Sequence, residues 1–258
     1  MTLLPTVPAS DLAARLARLD TCVLSDALDV LGLPGVVTGL STVWEGARLA
    51  GPAVTVKLAP GIPAADRPPV HLGARAIDRA EPGSVIVVDN AGRTEMGGWG
   101  GLLSLAADRN GVAGVVLDGA CRDVDEAREL GFPVFARSSV TRTARRRVYE
   151  ESTGEPVSIG GVPVSEGDFV VADGSGVVVL QRSHALDVTA EAERLTARER
   201  EMAARLRAGE PVGAVLGHGY ESMTSGGPSG GTAAVKTAQE TAETAIEETA
   251  VEGERNDV

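Results

Sequence analysis

Residues 112–136 constrain the fold of this chain more than any other stretch, because apolar and amphipathic patterns alternate there over a short distance. The apolar run at residues 112–117 ends at Asp118, and a Gly-Ala pair then leads to a helical pattern over residues 123–130. A second apolar segment follows at residues 132–136. A buried strand, a helix and another strand in close succession are typical of a parallel α/β unit.

The rest of the chain continues this alternation. Helices are predicted from residue 10 and over residues 25–31, 70–80 and 100–110, and strands over residues 84–90 and 42–58, the latter broken into two at residues 50–52. After residue 138, short apolar segments separated by glycines favour an antiparallel or mixed sheet. A long helix is predicted over residues 183–207, with Glu191–Arg194 and Glu201–Arg205 spaced to pair on its exposed face.

The composition changes near the C-terminus, where Gly, Ser, Thr, Ala and Glu dominate. Residues 222–258 hold too few large apolar side chains to offset the entropy of ordering them, so we predict a disordered tail. This tail is acidic, because eight acidic and two basic residues occur from Glu221 onward. We therefore expect a mixed α/β domain over residues 1–210, a junction over residues 211–221, and the tail.

Charge and cysteine content exclude several classes of protein. A net charge of −12 argues against a nucleic-acid-binding surface, which needs clustered Lys and Arg. Two cysteines are too few for a disulfide framework and suit a reducing cytoplasm. No apolar run approaches the roughly 18–20 residues of a membrane span, and charged residues near the N-terminus disfavour a signal peptide. We expect a cytoplasmic protein without membrane or nucleic-acid partners.

The glycine-rich stretch at residues 97–101 leads into the predicted helix over residues 100–110, whose first large apolar residues are Leu102 and Leu103. Glycines before a helix let backbone N–H groups approach an anion closely, and the helix N-terminus adds partial positive charge. The spacing fits neither the dinucleotide-binding fingerprint nor a P-loop. The alternative is a tight loop that needs positive φ angles, and the segment alone does not decide between the two.

Asp118, Arg122 and Asp123 follow the apolar run at the end of its predicted strand. The planar guanidinium of Arg122 suits bidentate binding of a carboxylate. Asp123 could equally be a plain helix N-cap, and Asp118 a turn former. Two acids flanking one arginine at a strand end nevertheless favour a ligand-binding site. We expect Asp125 and Glu126 to lie on the solvated face of the helix.

The remaining chemistry-bearing residues favour a hard metal ion over a zinc site, Schiff-base chemistry or a reactive thiol. His71, His184 and His218 are scattered, so a zinc site is disfavoured. Schiff-base chemistry would depend on Lys57 alone, because the only other lysine lies in the tail. Cys121 follows the strand as a small packed residue, although the adjacent arginine could activate its thiol. A divalent Mg²⁺ or Mn²⁺, held by one or two carboxylates and water, suits this inventory.

Several segments of the chain resemble the RraA-like family, which contains the 4-hydroxy-4-methyl-2-oxoglutarate aldolases and the regulators of ribonuclease activity A. The matching segments are SDALDVLG, GPAVTV, GSVIVVD, WGGLLSLAA, GVAGVVLDGACRDVDEARELGFPVFAR and GDFVVADGSGVVVL. They cover about residues 20–205. The resemblance implies a layered β/β/α domain of the swivelling-domain type that assembles as a homotrimer or a hexamer, with sites near subunit interfaces.

The resemblance also implies roles for individual residues. The backbone amides of Gly100, Gly101, Leu102 and Leu103 correspond to those that hold the pyruvyl end of the substrate in aldolase members. Arg122 corresponds to the substrate-contacting arginine, and Asp123 to the aspartate that binds the metal.

This chain departs from the aldolase pattern at Gly101. Active aldolases carry an acidic residue at this position, which helps to hold the water shell of the metal. Glu95 or Asp118 are the candidates to replace that acid.

These observations lead to two hypotheses. The first is a metal-dependent lyase that cleaves a 4-hydroxy-2-oxo diacid to pyruvate by retro-aldol chemistry, with Asp118 or a water as base and with oxaloacetate decarboxylation as a side activity. The second is a non-catalytic regulator of ribonuclease activity that binds a protein partner. The acidic tail and Gly101 favour this second hypothesis.

Overall fold

The fold was determined as a computed structural model, which describes residues 7–63 and 70–217. Helices α1–α7 span Ala9–Leu16, Thr21–Leu31, Ala74–Arg79, Gly101–Arg109, Val124–Leu130, Ala185–Arg207 and Val212–Val215. Strands β1–β11 span Val36–Val37, Ser41–Thr42, Leu49–Pro60, Val85–Trp99, Gly114–Cys121, Val134–Ser139, Val148–Thr153, Val157–Ile159, Val162–Val164, Phe169–Asp173 and Gly176–Leu180. The predicted tail at residues 222–258 lies outside the described residues.

The main sheet runs in the order β1-β11-β10-β3-β4-β5-β6-β2, with β7 also pairing with β3. Strands β3, β4, β5 and β6 are parallel, and helices α3–α5 occur in the connections between them. The pairings of β1, β2, β7, β10 and β11 are antiparallel. The mixed α/β fold expected from the sequence is therefore confirmed, and the parallel strands coincide with the predicted α/β units.

Strand β3 is continuous where the sequence predicts a break, so the prediction of two strands at residues 42–58 is wrong. The hydrogen-bonding partner changes there instead. Residues 49–52 pair with β10, whereas residues 53–57 pair with β4. A Cβ atom at Gly51 would overlap the carbonyl oxygen of Gly83, so the glycine is needed for a close backbone approach rather than for a turn.

Alternating side chains sort the core into layers. One apolar cluster lies between α3–α5 and one face of the parallel strands, and includes Trp99, Leu103 and Leu117. The opposite face of these strands packs on Val170 of β10 and on the β8–β9 hairpin. The next residue along β10, Val171, faces a third cluster formed with α1, α2 and α6. Along β3, Ala50 packs in the third cluster and Val54 in the first, so both groups of helices lie on the same face of this strand. Ala53 points to the other face and packs in the cluster that includes the β8–β9 hairpin.

Side-chain contacts explain where α2 begins and which of the predicted ion pairs form on α6. Helix α2 begins four residues before the predicted start because the side chain of Asp20 accepts the Val23 amide at 2.8 Å. In α6 the predicted Glu191–Arg194 pair forms, at 3.0 Å from Oε2 to Nε. The predicted Glu201–Arg205 pair is replaced, because the chain turns back after α6 and brings Glu210 to within 2.8 Å of Arg205.

The chemistry-bearing segments occupy the elements that the sequence predicts, with shifted limits. Helix α4 covers most of the predicted residues 100–110, and β5 extends three residues beyond the predicted end at Asp118. The glycine-rich stretch is not a separate loop, because β4 continues to Trp99 with several shifts of register against β5. Among the described helices, none has both the length and the apolar run needed to cross a bilayer.

Candidate functional site

Two strand–helix junctions lie side by side at the carboxyl ends of the neighbouring parallel strands β4 and β5. Trp99, the last residue of β4, is in register with Cys121, the last residue of β5. The amide of Arg122 donates to the carbonyl oxygen of Trp99 at 2.9 Å, which ties the two junctions together. Carboxyl ends of parallel strands are where open α/β sheets bind ligands. The glycine-rich stretch at residues 97–101 and the segment with Asp118, Arg122 and Asp123 are therefore adjacent.

Asp123 occupies the N-cap position of α5 but does not cap that helix. Its backbone is left-handed, with φ +58° and ψ +43°, a conformation that only a few per cent of non-glycine residues adopt. The side chain makes no capping bond to α5, and Oδ2 instead accepts the amide of Gly101 at 3.0 Å. The strained backbone thus aims the carboxylate at the N-terminus of α4, so the capping alternative is wrong for α5.

Arg122 lies against the same carboxylate. Its Nε donates to both oxygens of Asp123, at 3.1 Å to Oδ1 and 3.2 Å to Oδ2. Among the described residues, its terminal NH₂ groups have no hydrogen-bond partner. The arginine side chain is 37 % exposed and the aspartate side chain 26 % exposed. A half-buried guanidinium with free donors beside a carboxylate can bind an anionic ligand.

Two glycines make room for this pair. A Cβ atom at Gly97 would lie 3.0 Å from Cγ of Arg122, and one at Gly100 would lie 2.8 Å from Oδ2 of Asp123. Gly100 has an extended backbone (φ −156°, ψ −178°) that any residue adopts. The glycines are therefore explained by close approach to the arginine and aspartate, and the loop alternative that required positive φ angles does not apply here.

The first turn of α4 offers unpaired backbone donors. The Gly101 amide donates to Asp123, and the Leu103 amide donates to the carbonyl oxygen of Gly100 at 3.1 Å. Within the part of the chain that the structure describes, the amides of Gly100 and Leu102 have no partner. The side chain of Leu103 packs in the core, whereas Leu102 is 81 % exposed. Two free amides beside a guanidinium form an anion-binding surface.

Glu126 is a site residue that the sequence interpretation assigned only to solvent. It is exposed, as expected, but its carboxylate lies beside Gly101. A Cβ atom at Gly101 would overlap Oε2 of Glu126 and lie 3.3 Å from Cβ of Asp123. Neither Glu95 nor Asp118 is among the three atoms nearest to that point. The available signal was the i, i+3 spacing of Asp123 and Glu126, which puts both on one helix face.

Asp118 is not brought to this site. Its Oδ1 accepts from Nε of Arg137 and its Oδ2 accepts the Gly160 amide at 2.8 Å. Leu117 and Cys121 of β5 face the α3–α5 layer, whereas Asp118 faces the β8–β9 hairpin on the other side of the sheet. Only 5 % of Asp118 is exposed. The structure thus separates Asp118 from the Arg122–Asp123 pair, which lies with α4.

Cys121 is a packed core residue, in agreement with the favoured interpretation. The side chain is buried, and its Sγ lies 3.6 Å from the carbonyl oxygen of Ser138. Burial first, and the negative charge of Asp123 second, raise the pKa of the thiol to about 11. A thiol that stays protonated at neutral pH is a poor nucleophile. Lys57, the other candidate for covalent chemistry, pairs with Glu151 at 3.4 Å.

The described residues contain no group of three or more His, Cys, Asp or Glu side chains placed to hold a metal ion. Mg²⁺, however, is commonly bound through only one or two carboxylates, with water completing the octahedron. Asp123 supplies one such carboxylate at the α4 N-terminus. A cavity of about 750 Å³ lies elsewhere, lined by Pro163, Ser165, Glu166, Asp168, Gln181, Arg182 and Ser183.

Comparison with known proteins identifies relatives over most of this chain. The protein DlpA of Legionella pneumophila is 32 % identical over 178 residues, which cover 69 % of this chain but only 29 % of DlpA. A protein of Halalkalibacterium halodurans, named as a 4-hydroxy-4-methyl-2-oxoglutarate aldolase, is 33 % identical over 184 residues, covering 71 % of this chain and 83 % of that protein.

A solved structure and a family model agree with these relatives. The crystal structure of Streptomyces coelicolor RraAS2, described as an unusual member of the RNase ES inhibitor RraA protein family, superposes with a TM-score of 0.67 at 27 % identity. The match covers 78 % of this chain and 99 % of RraAS2. The family model described as RraA-like, Aldolase/RraA, matches residues 21–179, which include both strand–helix junctions. The chain therefore belongs to the RraA-like family.

Proposed function

We propose that the protein is a divalent-metal-dependent lyase that cleaves a 4-hydroxy-2-oxo diacid, of the 4-hydroxy-4-methyl-2-oxoglutarate type, to pyruvate. The observation that carries the proposal is the left-handed Asp123, whose carboxylate lies between the guanidinium of Arg122 and the N-terminus of α4. The aldolase name of the Halalkalibacterium relative supports the reaction class.

The donor chemistry of the site fits a hard cation such as Mg²⁺ or Mn²⁺. Asp123 would hold the ion through its carboxylate, with water as the remaining ligands. When bound, a divalent cation acts as a Lewis acid toward the 2-oxo group of the substrate. The amide of Gly101 and Nε of Arg122 fix the orientation of the carboxylate, and such supporting contacts strengthen metal binding.

Arg122 and the free amides of Gly100 and Leu102 supply the groups that bind an anionic substrate. The terminal NH₂ groups of Arg122 can bind a substrate carboxylate and stabilise the negative charge that develops when the C–C bond breaks. The two amides at the start of α4 can orient the pyruvyl end of the substrate. Oxaloacetate, which yields the same enolate on decarboxylation, is expected to be a second substrate.

Proton removal from the 4-hydroxyl starts the retro-aldol step. The C3–C4 bond then breaks, a carbonyl forms at C4, and protonation at C3 releases pyruvate. A water molecule held by the site carboxylate is the candidate base. Asp118 is not included in this role, because its carboxylate already accepts from Arg137 and Gly160.

Pyruvate release from 4-hydroxy-4-methyl-2-oxoglutarate tests the proposal. We expect turnover with added Mg²⁺ or Mn²⁺, loss of turnover in EDTA, and recovery when the metal is returned in excess. Asp123→Asn is expected to abolish turnover at ordinary metal concentrations. Full activity in EDTA, or in the Asp123→Asn variant, would contradict the proposal.

The likeness to RraAS2 favours a second candidate, a regulator that binds a ribonuclease. The two functions differ in what Asp123 does, because a protein contact does not require a metal. We expect a regulator to inhibit RNase ES, the ribonuclease named for the RraAS2 family, without turnover of any oxo acid, and to do so equally well in the Asp123→Asn variant. Pyruvate release without such inhibition would exclude this alternative.

A further inference from the structure

We propose that Glu126 is the second carboxylate of the Asp123 site and fills the space that a side chain at Gly101 would occupy. This inference rests on the proposed function, since it concerns the same cation. It adds a residue from helix α5 to a site otherwise built from the two strand–helix junctions.

The argument begins at Gly101, the first residue of α4. A Cβ atom there would overlap Oε2 of Glu126 and lie 2.7 Å from its Cδ, so the carboxylate of Glu126 already occupies that space. Cβ of Asp123 lies 3.3 Å from the same point. Two acidic side chains from adjacent turns therefore converge over one helix N-terminus.

The positive charges nearby do not neutralise both acids. Nε of Arg122 is bonded to Asp123, and Arg128 of α5 pairs with Asp125 at 2.8 Å. Among the described residues, Glu126 has no hydrogen bond or ion pair of its own. Two like charges at close range repel each other, and a divalent cation between them would remove the repulsion.

The chemistry of the pair indicates the class of ion. Carboxylate oxygens are the ligands of hard cations, and one or two carboxylates with several waters are the usual protein contribution to a Mg²⁺ or Mn²⁺ site. A glutamate side chain is long enough to hold the ion directly or through one of its waters. Glu126 is therefore expected to act on metal affinity first and on turnover as a consequence.

Mn²⁺ binding to the full chain, followed by calorimetry and by electron paramagnetic resonance of the free ion, measures this role without turnover. We expect Glu126→Gln to weaken Mn²⁺ binding by about 10- to 100-fold. The matched control is Glu129→Gln, which removes another exposed carboxylate of α5, three residues after Glu126, and should leave the affinity unchanged.

A variant that moves the carboxylate from position 126 to position 101, called here the relocation variant, distinguishes loss of a metal ligand from general destabilisation of the fold. In the double variant Gly101→Asp/Glu126→Ala, an aspartate at position 101 places a carboxylate in the space that Glu126 vacates. We expect its Mn²⁺ affinity to recover toward that of the unchanged protein. Recovery requires that the position of the charge matters, which a purely structural role of Glu126 would not predict. Thermal unfolding of each metal-free variant checks that it is folded.

The outcomes separate the inference from the proposed function. Unchanged Mn²⁺ affinity in Glu126→Gln, together with lost affinity in Asp123→Asn, would overturn the inference alone. Equal Mn²⁺ binding by the unchanged protein and Asp123→Asn would overturn the metal site of the proposed function and the inference with it. Failure of the relocation variant to recover affinity while folded would also overturn the inference.

Discussion

At the scale of single residues, the contacts of Arg122 divide its guanidinium into two parts. Nε holds Asp123, whereas the terminal NH₂ groups remain available to a ligand. A guanidinium can do both at once because its donors form a rigid planar fork. A lysine ammonium is a point charge on a flexible stem, so it cannot keep the same geometry.

We therefore predict that Arg122→Lys lowers kcat/KM for the 2-oxo acid on the order of 100-fold, or about 3 kcal/mol of transition-state stabilisation. Steady-state kinetics of pyruvate release measures the loss. Arg128→Lys on the exposed face of α5 is the control and should retain activity. A fully active Arg122→Lys variant would show that the bidentate geometry is not used.

The residue types of the site were predictable from the sequence, but their directions were not. Arg122 and Asp123 lie at a strand end, as the apolar run before them indicates. Asp118 ends the same run, yet it faces the opposite side of the sheet, because facing depends on strand register. Glu126 was assigned to solvent because only the three-dimensional approach of Gly101 shows what it contacts.

At the scale of elements, helices α2 and α6 bring like charges together. Burial raises the pKa of Asp26, and the charges of Asp29 and Asp20 raise it further. Burial likewise raises the pKa of Glu199 on α6, with contributions from Asp20 and Asp26. An acid whose pKa is higher in the folded state destabilises that state when it is ionised, and the effect disappears as the pH falls through the raised pKa.

We therefore predict that Asp26→Asn raises Tm at pH 7 by about 1–3 °C. The gain should shrink as the pH falls from 7 through the raised pKa of Asp26, because the unchanged protein then takes up a proton on this carboxylate. Thermal unfolding across this pH range measures the effect, and Glu81→Gln at an exposed position serves as the control. A gain that does not vary with pH would point to a cause other than the charge.

Elements with a strong local signal were predicted well. Apolar runs and glycine stops identified β4, β5, α4 and α5, because burial of these segments depends on their own composition. The continuity of β3 and the extension of β4 to Trp99 were missed, because both depend on partner strands that lie far away in sequence. The early start of α2 depends on one side-chain cap at Asp20.

At the scale of the whole molecule, the first turns of α4 place apolar side chains on the surface beside the site. Leu102 is 81 % exposed, and Leu105, one turn later, is 47 % exposed. Paired exposed leucines are typical of a surface that another subunit covers. They support the proposal that the protein assembles as a homotrimer or a hexamer with its site near a subunit interface.

We predict that light scattering of the unchanged protein gives three or six times the mass of the chain. Leu105→Glu should shift the mass toward that of one chain, because a charge would then be buried in the interface. Leu186→Glu, an exposed leucine on α6, is the control. A monomeric unchanged protein at micromolar concentration would contradict this assembly.

The shared strand β3 has a mechanical consequence for the molecule. Its first residues are hydrogen-bonded to β10 and the following ones to β4, in one unbroken segment. If β10 or β4 separates from β3, backbone N–H and C=O groups of β3 lose their hydrogen-bond partners. Because the same strand also pairs with the other neighbour, local unfolding on one side destabilises both sides. Amide hydrogens of the non-proline residues in β3 that are hydrogen-bonded to β10 or β4 should consequently exchange only when the entire domain opens.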